Sequence, residues 1–240
     1  MAKRLFLAGA SGAVGRRLVP LLLADGWFVV GTTRSPEKAV LLALSGVDPV
    51  IVDVFDAEHL RSLVVRARPS VVVHQLTDLP PGLDPARMAG ALERNAYLRD
   101  AGTRHLVAAA QAAGAKRLVA QSLAFAYAPG ATPHEEEDPL NVDAAGGAGV
   151  TARGVASLER QVLEAPLEGI VLRYGKLYGP GTGSDGPNPP CALHVDAAAE
   201  AAHLALTEGE PGIYNIAEED GAVSIEKAKW HLGWSPRSSA

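Results

Sequence analysis

The chain has 240 residues, 48% hydrophobic and 20% charged, with a formal net charge of −5 at pH 7. That length allows a sizeable core in one or two domains, and the acidic balance with scattered Lys and Arg offers no basic field for nucleic acid. Cys191 is the only cysteine, which rules out an intrachain disulfide and a cysteine-rich zinc site and fits a reducing, cytoplasmic setting.

The run Leu5-Phe6-Leu7-Ala8 meets Gly9 too early for a signal peptide. No stretch approaches the roughly 18 apolar residues of a membrane span, so no membrane partner is expected. The short β-branched runs Arg4–Ala8, Trp27–Thr32, Pro49–Asp53, Val71–His74, Leu118–Ser122, Ile170–Arg173 and Ile213–Ile216 read as buried strands. Between the first two, Val14, Leu18, Leu21 and Leu22 make an apolar stripe on a helix that ends near Asp25-Gly26. Pro85 to Gly114 is a long Ala-rich helical pattern with a break expected near Gly102. Repeated strand–helix–strand order predicts an α/β fold with a doubly wound parallel sheet and right-handed crossovers. Gly- and Pro-rich stretches at Asp143–Gly149 and Gly179–Pro190 read as loops that punctuate a single domain. There is no internal repeat.

Gly9-Ala10-Ser11-Gly12-Ala13-Val14-Gly15 follows the first strand directly and opens the first helix. Gly9 permits a tight turn, Gly12 lets the backbone approach a phosphate, and Gly15 lets the helix pack close to the sheet. Free N–H groups and the positive end of the helix dipole favour a pyrophosphate there. The expected ligand is NAD(P) on a Rossmann-type core. The second strand runs into Gly31-Thr32-Thr33-Arg34-Ser35 with no carboxylate for a ribose 2′-hydroxyl, and Arg34 suits a 2′-phosphate, so NADP is expected over NAD.

Several further segments carry a family likeness. They are Asp53-Val54, Val73-His74-Gln75-Leu76-Thr77, Asn95 with Gly102-Thr103, and the run Leu172-Arg173-Tyr174-Gly175-Lys176-Leu177-Tyr178-Gly179-Pro180-Gly181. His194-Val195-Asp196, Gly212–Ile216 and Lys227–Pro236 complete the order. Together with the glycine turn, the chain resembles an extended short-chain dehydrogenase/reductase of the NAD(P)-dependent epimerase/dehydratase family over nearly its whole length. The resemblance implies a cofactor site of Gly9, Ser11, Gly12, Ala13, Val14, Gly15, Arg34, Asp53, Val54, Gln75, Leu76, Thr77, Asn95, Tyr174 and Leu177. It also implies a cofactor-binding core over residues 1–165, followed by a reduced substrate-facing lobe, final strand and helices over 166–240, in one domain.

Family catalysis uses a tyrosine acid/base, a lysine four residues later and an orienting Ser or Thr. Ser122 matches the last of these, but Thr151 and Val155 stand at the dyad positions and Glu159 follows them. No tyrosine has a lysine four residues on. Ser122 with Tyr127 is therefore the expected catalytic pair, with Tyr174 and Lys176 as further candidates near the nicotinamide. His74 reads as a satisfied buried histidine, and His134 with Glu135–Asp138 as a solvated loop. The leading expectation is an NADP-dependent oxidoreductase or epimerase-like enzyme acting on a small carbonyl or alcohol. The alternatives are a non-catalytic NADP(H) sensor and a non-redox isomerase or lyase. The expected partners are a small-molecule substrate and a second copy paired through the long helices around Pro85–Gly114 and Gly149–Glu164; no metal site is suggested.

Overall fold

The computed structural model describes residues 3–236. Seven strands form one parallel sheet: β1 (Arg4–Ala8), β2 (Phe28–Thr33), β3 (Asp48–Ile51), β4 (Val71–His74), β5 (Arg117–Leu123), β6 (Glu168–Tyr174) and β9 (Gly212–Ile216), in the order β3-β2-β1-β4-β5-β6-β9. Two short strands, β7 (Lys176–Tyr178) and β8 (Ala192–His194), pair separately and lay no long apolar run in the sequence. The seven expected strands are all present, with ends displaced by a residue or two, as strand fraying allows.

Strand alternation divides the core between the two faces of the sheet. Leu5, Leu7, Val71, Val73, Val119, Ile170 and Leu172 pack under α1 (Ala13–Ala24) and α7 (Val195–Leu204). Phe6, Ala8, Val72, Leu118, Ala120 and Val171 face the other way, toward α3 (Ala57–Ala67), α5 (Thr103–Ala112) and α6 (Gly146–Leu163). The helix α2 (Pro36–Leu44) follows β2, and α8 (Glu226–Leu232) closes the chain, with Trp234 Nε1 donating to the Ala197 carbonyl at 3.0 Å. Residues beyond 166 thus supply two strands of the main sheet and a helix packed on α1, so they complete the core as well as following it.

The long helical pattern is α4 (Pro85–Tyr97) joined to α5 through a π-helical turn at Leu98–Gly102. Gly102 sits where a Cβ would come within 3.0 Å of Leu98 Cδ1 and 3.3 Å of Val54 Cγ1. The wider turn lets the segment pack closely there. It also presents Asp100 to α6, where Ser157 Oγ donates to Asp100 Oδ1 at 2.7 Å and Gln161 Nε2 to the Asp100 carbonyl at 3.1 Å. The expected break near Gly102 is therefore a change of helical pitch rather than an end.

The sheet order reverses between β1 and β4: the chain runs outward from β1 to β3, then returns to β4 on the other side of β1. In open parallel sheets the loops diverge at such a point and leave a crevice beyond the strands' carboxyl ends.

Candidate functional site

A cleft of about 630 Å³ opens at that reversal. It is floored by the glycine turn and walled by the ends of β2, β3 and β4 and by α4. Gly9 has φ +92°, and a Cβ there would lie 2.6 Å from the Gln75 carbonyl oxygen, so only glycine fits. Its N–H donates to Thr32 Oγ1 at 3.0 Å, and Ser11 Oγ donates to Thr33 Oγ1 at 3.3 Å, so the second strand buttresses the turn. Gly15 lies against the backbone of Gly9 and Ala10, whereas a Cβ on Gly12 would meet only the Gly9 oxygen, at 3.2 Å. Gly15 is thus spent on packing, while Gly12 faces the cleft.

Two features suit the cleft to a dinucleotide. No side chain caps α1, whose start adjoins the glycine turn in the cleft, so its first N–H groups are available to an anion. The second is Gln75, which lines the cleft and is 5% exposed. Tyr174 OH donates to the Ala198 carbonyl and therefore accepts from Gln75 Nε2, both at 3.1 Å. That fixes the amide so that Oε1 is the free acceptor, and it has no partner among the described residues.

Gly9, Ser11, Gly12, Arg34, Asp53, Val54, Gln75, Leu76 and Thr77 all line this cleft. Ala13, Val14 and Gly15 form the first turn of α1 beside it, with the Val14 side chain in the core. Asn95 is buried beneath, its Oδ1 accepting the Asp78 N–H at 2.9 Å and its Nδ2 donating to the Ala91 carbonyl at 2.8 Å. Asn95 therefore shapes the wall. Two expected members do not reach the cleft. Tyr174 is 1% exposed with its hydroxyl held between Gln75 and Ala198, and burial raises its pKa above the usual phenol range. Leu177 packs against the core cluster beneath α7. The parity of β6 explains Tyr174: it shares a face with Ile170 and Leu172, whereas Arg173 faces α6.

Residues the sequence reading missed also line the cleft: Lys38, Phe55, Asp78, Glu93, Arg94 and Tyr97. Phe55 and Tyr97 form a ring pair with centroids 5.0 Å apart. Asp78 accepts from Arg34 Nη2 and from Arg94 Nε, each at 2.9 Å. The Arg34 hydrogen bond, opposed by partial burial and aided by Arg94, holds the Asp78 carboxyl below its ordinary range, so it is ionised at neutral pH.

Ser122 and Tyr127, the expected catalytic pair, do not line the cleft. Ser122 is fully buried and donates to Glu159 Oε1 at 2.7 Å. Arg173 grips the same carboxylate with two donors, Nη2 at 2.7 Å and Nε at 2.8 Å, and donates through Nη1 to Tyr127 OH at 2.7 Å. Tyr127 OH in turn donates to Asn215 Oδ1 at 2.7 Å, and the Asn215 N–H donates to Glu136 Oε1 at 2.8 Å. The Tyr127 ring stacks on His134 with centroids 4.8 Å apart. Burial pushes the Tyr127 phenol up to about 12, opposite to what an acid/base tyrosine needs at neutral pH. Ser122 and Tyr127 belong to one closed network in which Glu159 and Arg173 form the central ion pair. Val155 is fully buried and Thr151 half-buried on α6, and neither lines the cleft.

His134 Nδ1 pairs with Asp138 Oδ2 at 3.0 Å, so the acidic loop is tied down at that point. His74 accepts the Leu76 N–H on Nδ1, which leaves the proton on Nε2 facing Thr103 Oγ1, each contact 3.2 Å. Burial, with help from the positive Arg99, lowers its pKa to about 4, so it is a neutral strut behind Gln75 and Leu76. Among the described residues no helix is long and apolar enough to cross a membrane, and no group of three or more His, Cys, Asp or Glu is placed to hold a metal.

The family model described as NAD(P)H-binding matches residues 9–165, which take in the glycine turn and every wall of the cleft. The chain is 47% identical over 230 residues to a 3-diazoavenalumate denitrifying reductase from Streptomyces sp, covering 94% of this chain and 71% of that protein. It is 32% identical over 186 residues to a dTDP-4-dehydrorhamnose reductase from Streptomyces griseus, covering 77% of this chain and 52% of that one. The fold is similar to that of a UDP-glucose 4-epimerase from Thermotoga maritima, with TM-score 0.79 and 19% identity over 98% of this chain and 94% of that chain. It is likewise similar to a dTDP-glucose 4,6-dehydratase from Streptomyces venezuelae solved with NAD, with TM-score 0.77 and 20% identity over 98% and 92%. Glycine turn, strand order, cleft and matches agree: the chain belongs to the NAD(P)-binding short-chain dehydrogenase/reductase family.

Proposed function

We propose that this protein is an NADPH-dependent reductase that delivers hydride to a small acceptor whose own leaving group takes the displaced electrons, an aryldiazonium carboxylate being the substrate class. The observation that carries this reading is the commitment of the Ser122 and Tyr127 hydroxyls to a buried network, which leaves neither of them free to act as the acid. Carbonyl reduction needs a proton at the new alkoxide, and a missing positioned acid slows such chemistry by about 10²–10⁴-fold. Replacing a diazonium nitrogen by hydrogen has no such need. The hydride pair becomes the new C–H bond, the C–N bonding pair leaves with N₂, and no proton is drawn from the protein. The 47% identical relative, named as a denitrifying reductase of a diazo compound, supports that choice.

NADPH bound in the cleft would supply the hydride. The chain's residues hold and orient it: the uncapped start of α1 takes the pyrophosphate and Arg34 takes the 2′-phosphate. The test is loss of reduced-nicotinamide absorbance with aryldiazonium carboxylates, beside aldehydes and ketones, with N₂ release measured in parallel. Turnover of the diazonium compounds at least tenfold above the carbonyl compounds is expected. Faster turnover of carbonyl compounds would overturn the substrate class, and no turnover of any compound would favour a non-catalytic NADPH-binding role.

A further inference from the structure

Asp78 stands between two guanidinium groups on the cleft lining. Arg34 follows β2 and Arg94 rides on α4, so one carboxylate ties together two walls of the site, with both contacts at 2.9 Å. The Asp78 backbone is anchored independently, through its N–H to Asn95 Oδ1. The side chain can therefore turn away from the arginines while the loop stays in place. The charges lining the cleft cancel, with Arg34, Lys38 and Arg94 set against Asp53, Asp78 and Glu93. An incoming phosphate meets no net positive field until one of those carboxylates leaves.

We propose that Asp78 is a specificity-determining residue of the cofactor site: its carboxylate holds Arg34 and Arg94 together as an anion receptor and is displaced by the 2′-phosphate of NADP. On this proposal Arg94 is a second phosphate ligand, supplied from the opposite wall to Arg34. It rests on the NADPH reading above and adds to it an internal competitor. A phosphomonoester carries more charge and one more acceptor oxygen than a carboxylate, so it can satisfy two guanidinium groups at least as well as Asp78 does. The 2′-hydroxyl of NADH has no charge with which to displace Asp78. Asp78 therefore weakens NADPH binding and leaves NADH binding as it is.

The experiment is calorimetric titration of the unmutated protein, Asp78→Asn and Arg94→Ala with NADPH, NADH, 2′,5′-ADP and 5′-AMP. Asp78→Asn keeps the side-chain shape and the backbone anchor while removing the charge. It is expected to tighten NADPH and 2′,5′-ADP about tenfold and to change NADH and 5′-AMP by less than about twofold. Arg94→Ala is expected to weaken the two 2′-phosphorylated ligands about tenfold, again sparing the others. Unchanged or weaker NADPH binding in Asp78→Asn, or equal tightening of NADH, would overturn the proposal. So would unchanged NADPH binding in Arg94→Ala. Failure of the underlying NADPH reading looks different: the unmutated protein would then bind NADPH no better than NADH and 2′,5′-ADP no better than 5′-AMP, and the proposal would fall with it.

Discussion

The two sides of the sheet treat polar groups in opposite ways. Around β1, β2 and β4 the glycine turn and the uncapped start of α1 line the open cleft, with Gln75 Oε1 buried and without a partner among the described residues. Around β5, β6 and β9 the Ser122 and Tyr127 hydroxyls, the Glu159 carboxylate and the Arg173 guanidinium saturate one another in the interior. Ser122, Arg173 and the glycine turn all lie at or just beyond strand ends, where family resemblance places function. A strand-end hydroxyl becomes available to a ligand only when no internal group has claimed it, and on the second side every one has been claimed. The first side carries the cleft, and the second ties its polar groups into the interior.

The sharpest break between the two is expected at Gly12. Gly12→Val puts a branched side chain into the space a pyrophosphate needs, while its Cβ would meet only the Gly9 oxygen, at 3.2 Å. It should weaken NADPH and NADH alike by more than about 100-fold with little change in melting temperature. Titration beside thermal unfolding checks this, and retained affinity would make the turn purely structural. On the other side, Glu159→Ala strips Arg173 of both carboxylate contacts. Removing one partner of a buried pair typically costs about 3–5 kcal/mol, so chemical denaturation should register a loss of that size. NADPH affinity, measured where the variant is folded, should stay within about twofold. A large loss of affinity with intact stability would instead join the network to the binding site.

A smaller effect tests the strut between the halves. The His74 pKa of about 4 in the folded chain lies below the ordinary 6.5, so between those values the unfolded chain binds the extra proton. The stabilisation is present above pH 6.5 and lost as pH falls toward 4. The loss attributable to His74 should reach roughly 2–3 kcal/mol between pH 7 and pH 4.5. Denaturation of the unmutated protein and His74→Gln at both pH values isolates it, and parallel pH profiles would show that His74 stays protonated or exposed.

What the sequence disclosed was local and periodic. The glycine turn, the apolar stripe of Val14, Leu18 and Leu22, and the β-branched runs each carry their geometry within a few residues, and the parallel doubly wound arrangement follows from the repeated strand–helix–strand order. Arg34 was legible because it directly follows a strand end. The Arg34–Asp78–Arg94 bridge was not, since its members lie 44 and 16 positions apart with no periodic relation. Nor was the closed state of Ser122, because a serine at a strand end has one spelling whether its hydroxyl is free or held by Glu159 from 37 residues away. The placement of Tyr174 was recoverable from strand parity with Ile170 and Leu172. The π-helical turn was visible only as a suspected break at Gly102.

The measurement that bears most directly on the central claim, a cofactor side built to receive NADPH, is calorimetric comparison of NADPH and NADH on the unmutated protein and on Arg34→Ala. A charge-assisted arginine–phosphate contact should make NADPH at least about tenfold the tighter ligand, and Arg34→Ala should remove most of that margin while leaving NADH within about twofold. Equal affinity for the two dinucleotides in the unmutated protein, or a preference undiminished by the loss of Arg34, would contradict it.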